Sequence, residues 1–227
     1  MKKLLYFALA TVLCASCFTV NSNFNFHKGA IKGIGPVETR TLDLADFNAV
    51  CVKGGAELHL SQGDGWAVSV TTQENIFDSL DFVVEDSVLV IQAVNAKTIN
   101  AEEFEVSLTM PALKSLQING AAELEALTPW KVGDLDISIN GAGELTFDGL
   151  TCRNLSLSVN GASEFDAKGL DVALLSVDIK GAGEVEVAGK AGDVDLSVSG
   201  AGEIDARELT VSGEVRKKAA GAARIRI

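Results

Sequence analysis

The stretch "DISINGAGELTF" (136–147) decides the fold, because its centre "INGAGE" (139–144) does not occur alone. Near copies stand at 118–123 ("INGAAE"), 159–164 ("VNGASE"), 179–184 ("IKGAGE") and 198–203 ("VSGAGE"), with a worn copy "AAGAAR" at 219–224. The glycines at the third motif position are Gly120, Gly141, Gly161, Gly181, Gly200 and, in the worn copy, Gly221; their separations are 21, 20, 20, 19 and 21 residues. A period of this length signals stacked units, each unable to bury its apolar side until a neighbour covers it.

Within a unit the hydrophobicity alternates. In "LDISI" (135–139) Leu135, Ile137 and Ile139 point one way and Asp136 and Ser138 the other; in "ELTF" (144–147) Leu145 and Phe147 alternate with Glu144 and Thr146. Period two means strands with one face buried and one in solvent. Between the two strands sits the "NGAG" corner. Glycine supplies positive φ without steric cost and Asn tolerates the left-handed region, so Gly120, Gly141, Gly161, Gly181 and Gly200 are expected to be structural corners. As a phosphate cradle "GAGE" is a poor candidate, since no helix follows and the acid would repel phosphate. The expected fold is all-β: a β-solenoid, parallel β-helix-like, of about 20-residue coils. Stacking at ~4.8 Å would set Asn119, Asn140 and Asn160 into an amide ladder and Leu124, Leu145, Phe165, Val185 and Ile204 into a core ladder.

The part before the repeats reads differently. "AELHL" (56–60) and "WAVSV" (66–70) flank "SQGDG", and "DFVV" (81–84) and "VLVIQ" (88–92) flank "EDS", both hairpin patterns. "NIFDSL" (75–80) suits a single helical turn. The expected organisation is a signal peptide over 1–16, a flexible tether over 17–36 and a domain over 37–227. Within that domain, antiparallel hairpins (37–110) precede repeat coils (111–227), the last of which turns from acid to base at "RIRI" (224–227) and caps the stack.

The amino terminus, "MKKLLYFALATVLCASCF", has a basic start, an apolar run from Leu4 to Leu13 and small residues before Cys17. The run is too short to span a bilayer and reads as an export signal. "CASC" (14–17) resembles a lipobox, with Cys14 where Leu is usual, which makes Cys17 the candidate lipidation site. The polar stretch that follows suits a tether, and its lack of an acidic run favours a periplasm-facing outer-membrane lipoprotein over one at the cell surface. Cleavage would leave Cys51 and Cys152, which an exported location permits to pair and sequence alone does not pair. Removing Lys2 and Lys3 with no acid moves the formal charge from −12 to −14. So acidic a chain repels nucleic acid and anionic headgroups, leaving the lipid anchor as its expected membrane contact.

The strongest candidate for chemistry is the acid after each corner: Glu123, Glu144, Glu164, Glu184 and Glu203. Glu125, Asp166, Glu186 and Asp205 form a second column two residues on, with Thr146 as its gap. Neighbouring carboxylates ~5 Å apart in water repel by roughly 0.8 kcal/mol per pair. An exposed sheet tolerates this where charge keeps it soluble and unpaired; the sharper reading is a stripe that gathers Ca²⁺ or faces a partner. Single carboxylates on rigid strands supply Ca²⁺'s six to eight oxygens poorly, and no EF-hand loop or "GGxGxD" repeat occurs. No cofactor motif is present. Catalysis has thin support: a histidine triad would rest on His59, since His27 lies in the tether. The mature chain lacks tyrosine, and Trp66 and Trp130 suit packing better than sugar stacking. Paired acids could serve an inverting glycosidase, yet no pair stands out.

With "MPALKSLQINGAAE" (110–123) and the iterated "GAGE" in view, the chain resembles, over roughly 37–227, the bacterial family called the putative auto-transporter adhesin head domain, or GIN domain. The resemblance implies a β-solenoid-like exported domain of the kind common in Bacteroidetes envelopes, and a role in adhesion. It carries over no catalytic residue. The final copy departs from the family pattern, with Ala223 and Arg224 in place of Gly and an acid. The expected function is thus a non-enzymatic, lipid-anchored module of the cell envelope that binds an envelope protein or polysaccharide. The alternatives are a carbohydrate-active enzyme of the solenoid lyase or hydrolase type, and an envelope-stress sensing domain.

Overall fold

The computed structural model describes residues 30–96 and 98–227. The signal peptide, Cys17 and His27 lie outside the described residues. The strands in chain order are β1 (Ile31–Lys32), β2 (Val37–Leu42), β3 (Ala49–Gln62), β4 (Ala67–Gln73), β5 (Leu80–Glu85), β6 (Val88–Ala93), β7 (Ile99–Asn100), β8 (Phe104–Met110), β9 (Ser115–Ala126), β10 (Trp130–Lys131), β11 (Asp134–Gly181), β12 (Glu184–Gly200), β13 (Glu203–Val211), β14 (Val215–Gly221) and β15 (Arg224–Arg226). Thirteen of them form one sheet whose main path runs β15-β13-β12-β11-β9-β3-β8-β4-β2, with β5 beyond β6, β6 beside β3, β10 beside β11 and β14 beside β12. Its ends do not meet, so the sheet is open rather than a barrel. β1 and β7 make a separate two-stranded piece.

Parallel pairing at an offset of one repeat organises the sheet. Gly141 lies opposite Gly120 and Gly200 opposite Gly181, and the flanking residues follow in register. The reason is local. Each corner glycine holds a positive φ, 145° at Gly120 and Gly141, 142° at Gly161, 132° at Gly181 and 128° at Gly200, so the chain turns at the same place in every copy. A Cβ added at Gly141 would land on the carbonyl oxygen of Gly120, so the close approach of successive corners also excludes a side chain. The ladder of side-chain amides is present: Asn140 Nδ2 donates to Asn119 Oδ1, and Asn160 Nδ2 to Asn140 Oδ1, both at 3.1 Å.

The core lies on the inward side of these strands. Leu124, Leu145, Phe165, Val185 and Ile204 are buried one above the next, and Phe147 and Phe165 pack with ring centroids 5.9 Å apart. Trp130 is buried in the same core, opposite Leu150, while Trp66 is partly exposed and donates its indole N–H to the Phe47 carbonyl at 2.7 Å. Cys51 and Cys152 are both buried and unpaired.

Two expectations for the front need correction. "AELHL" and "WAVSV" do not form a hairpin: β3 runs parallel to β9 and β8, and β4 pairs antiparallel with β2 and β8. Leu58 and Leu60 thereby gain neighbours on both sides, Leu124 and Ala126 across one edge and Val106 and Leu108 across the other, where a hairpin would leave one edge open. Nor do the stacked copies begin at 111. "VCVKGGAELHL" (50–60) overlays "LQINGAAELEA" (116–126) residue for residue, with Gly54 at φ 123° opposite Gly120. The first copy is therefore β3, and residues 63–114 are an insert between it and the second. Within the insert, β5 and β6 do form the hairpin expected around "EDS", closed by Asp86 and Ser87 at φ 49° and 65°, and Glu74–Ser79 is a short 3-10 turn.

Candidate functional site

Strand alternation and register bring the acids expected from sequence onto one face and extend their columns. Glu123, Glu144, Glu164, Glu184 and Glu203 stand after successive corners. Register adds two acids that the period did not reveal, Glu57 opposite Glu123 and Glu105 opposite Glu57. The second column reads His59, Glu125, Thr146 and then Asp166, Glu186 and Asp205. Both columns end at arginine, Arg224 opposite Glu203 and Arg226 opposite Asp205.

The ends and the middle differ electrostatically. At the carboxyl-terminal end, Glu203 meets Arg224 at 3.2 Å and Arg226 at 2.6 Å. Asp205 is held down to about 2, chiefly by its hydrogen bond from Arg207, with Arg226 adding charge. Asp166 pairs with Lys168 at 2.9 Å. At the front, His59 Nε2 lies 3.4 Å from Glu57 and 3.5 Å from Glu105, and Nδ1 3.9 Å from Glu125. In between, Glu123, Glu144, Glu164 and Glu184 form no ion pair among the described residues. Glu164 sits at the centre of this run. Partial burial raises its carboxyl above the ordinary value, and Glu144, Glu184, Asp166 and Glu186 push it the same way.

Two chemical readings of this face meet the geometry. For a cation, the described residues contain no group of three or more His, Cys, Asp or Glu drawn together as ligands. For acyl transfer, Ser107, His59 and Glu125 do lie in one row across β8, β3 and β9. The Ser107 hydroxyl, however, donates to Glu105 at 3.3 Å and the His59 Nε2 faces two carboxylates, so no serine–imidazole bond activates a nucleophile.

A second feature lies outside anything the sequence suggested. A cleft of about 650 Å³ opens where the first corner, Gly54 to Ala56, faces the insert, walled by Leu80, Ile99 and Phe104 with Lys53 and Gln92 at its rim. It is built by an insert without repeat character, so the period carries no sign of it.

The comparisons place this architecture among known proteins. A family model described as "putative auto-transporter adhesin, head GIN domain" matches residues 46–170 and 137–227. Among solved structures, a putative lipid binding protein from Parabacteroides distasonis is 22% identical, with a TM-score of 0.74 over 87% of this chain and 99% of that one. A putative adhesin from Bacteroides fragilis is 18% identical, with a TM-score of 0.64 over 87% of this chain and all of that one. A further putative adhesin from Parabacteroides distasonis is 18% identical with a TM-score of 0.58, covering 87% of this chain and 100% of that one. At these identities the likeness is one of fold. No curated protein matches. The family match spans the stacked copies together with the whole insert, and the chain belongs to the family of the putative auto-transporter adhesin, head GIN domain.

Proposed function

We propose that the chain is a non-enzymatic binding module of the cell envelope, exported and anchored by acylation of Cys17, whose copies wind as a β-solenoid and present the acidic face to an envelope protein or polysaccharide. One observation carries this reading. The carboxylates of Glu123, Glu144, Glu164 and Glu184 form no ion pair among the described residues and run along the sheet in columns that end at Arg224 and Arg226. A surface of this kind attracts a cationic or polyhydroxylated partner over a long front and offers no enclosed place for a reaction. The parallel register at one-repeat offsets supports the solenoid, and family membership with adhesin-named structural relatives supports a binding role. The lipobox-like "CASC" supports the anchor, and the lack of an acidic run in "FTVNSN" directly after Cys17 favours the periplasmic side.

The test is a screen of the purified mature domain against envelope glycans and envelope proteins, repeated with Glu144→Gln, Glu164→Gln and Glu184→Gln combined. Capture that the triple variant loses supports the face as the contact; capture that the variant keeps removes it from the reading. Mass spectrometry of the native amino terminus addresses the anchor, which requires an acylated chain beginning at Cys17.

A further inference from the structure

The corner ladder has a front end, and the cleft lies against it. Along the stack, the residue after each corner glycine donates its N–H to the preceding corner: Ala182 to the Gly161 carbonyl, Ala201 to Gly181 and Ala222 to Gly200, each at 2.8 Å. The equivalent donor in the first copy is Gly55. On its front side, β6 pairs with β3 only as far as Lys53, opposite Gln92, and the pairing of β8 with β3 starts at Glu57, opposite Glu105. Gly54, Gly55 and Ala56 are thus left without a strand partner between the two. A Cβ at Gly54 would meet nothing within 4 Å, whereas at the later corner glycines it would strike the preceding backbone. The notch that a preceding corner would fill is the floor of the cleft.

The chemistry of the cleft is the reverse of the surface around it. Its walls are the half-buried Leu80, Ile99 and Phe104, and no described lining residue is acidic in a chain with 31 carboxylates. Lys53 donates to Gln92 Oε1 at 3.4 Å, Gln92 Nε2 donates in turn to Asp81 at 3.0 Å, and Lys53 forms no ion pair among the described residues. A cavity of this size lies within the range of small-molecule sites, which pair apolar walls with a few convergent polar groups. The polar side chains of the lining are Lys53, Gln92, Thr98 and Asn119, of which Lys53 alone carries a charge.

We propose that this cleft binds a long-chain carboxylate, with its hydrocarbon chain along Leu80, Ile99 and Phe104 and its head paired with Lys53 beside the Gly54–Ala56 corner. Charge complementarity favours an anionic head: no described lining residue is acidic, and Lys53 is the one cation among them. The site is separate from the acidic face and stands or falls independently of the function proposed for that face.

Titration of the mature protein with hexadecanoate, followed by calorimetry, tests the proposal. Saturable one-to-one binding is expected, and dodecanoate, four methylenes shorter, should bind more than about a hundred-fold more weakly. Lys53→Glu should weaken hexadecanoate by roughly ten-fold or more, with hexadecan-1-ol little changed. Ala101→Trp, which fills the cleft from a residue outside the strands, should abolish both, with the melting temperature of each variant confirming that it is folded. Absence of saturable binding, or binding that Ala101→Trp leaves intact, overturns the proposal. A loss of hexadecanoate and hexadecanol alike in Lys53→Glu would overturn the assignment of the head group.

Discussion

At the residue scale, the corner glycines separate two effects that sequence alone merges. A positive φ at a non-glycine residue costs on the order of 1–3 kcal/mol. Gly54 and Gly141 share that condition, at 123° and 145°, yet only Gly141 has the preceding corner's carbonyl where its Cβ would go. Gly54→Ala should therefore cost about 1–2 kcal/mol by strain alone, and Gly141→Val more than about 3 kcal/mol because the backbone of two copies must also part. Urea unfolding of both variants measures the difference; equal costs would mean that the close approach contributes nothing. A second residue-level outcome concerns Cys152. Burial, aided by the charge of Asp134, lifts its thiol from the ordinary 9.0 to about 11. Because the folded value is raised, the neutral thiol's contribution is complete below pH 9 and is lost as pH rises towards 11, at about 1.4 kcal/mol per pH unit. In urea melts across that window Cys152→Ala should lack this slope, and the thiol should stay unmodified by iodoacetamide at pH 8 until the chain unfolds.

At the scale of elements, the strands most legible in the sequence are those that repeat. The copies from Ser115 to Gly200 announce themselves because equal spacing, a glycine and a period of two coincide, so local pattern and long-range pairing agree. β3 obeys the same pattern but stands 66 residues ahead of the next corner, with Lys53 in place of Asn, and the "SQGDG" turn signal beside it invites a hairpin. Parallel pairing on both edges of β3 outweighs that local signal. The acidic columns were readable for the same reason as the strands, whereas Glu57 and Glu105 joined them only through register, and the cleft depends on an insert with no period. The final copy shows how the stack stops. Leu196 in the inward column is followed opposite by Lys217, and every residue of β14 is exposed. A lysine at an edge strand's inward position discourages another sheet from pairing there. Lys217→Leu should leave the melting temperature within a few degrees while raising the fraction of dimers and larger species in sedimentation velocity. A strictly monomeric variant would show that the edge needs no such guard.

At the scale of the molecule, the question is what a long row of unpaired carboxylates does to the whole sheet. Glu164 is held above its ordinary 4.5 by burial and by its neighbours, so its carboxyl is harder to ionise in the folded chain than in the unfolded one. The sign follows: repulsion is absent below the unfolded value and appears as pH rises through the raised folded one, leaving the row destabilising at neutral pH. Replacing Glu144, Glu164 and Glu184 with Gln should therefore hold or raise the melting temperature at pH 7 and low salt. Exposed neighbours interact by no more than roughly 0.8 kcal/mol per pair, so the gain is modest; it should shrink as salt screens the charges and vanish on acidification below the carboxylate range. A calcium stripe predicts the opposite order. Millimolar Ca²⁺ would raise the melting temperature of the unmodified protein by mass action, and the triple variant would lose that rise. These carboxylates stand one to a copy, without the ligand number Ca²⁺ takes, so the first outcome is expected, and the row acts as a charged face that stays open to a partner. A calcium-dependent rise that disappears in the variant would show instead that the strands gather their carboxylates around an ion.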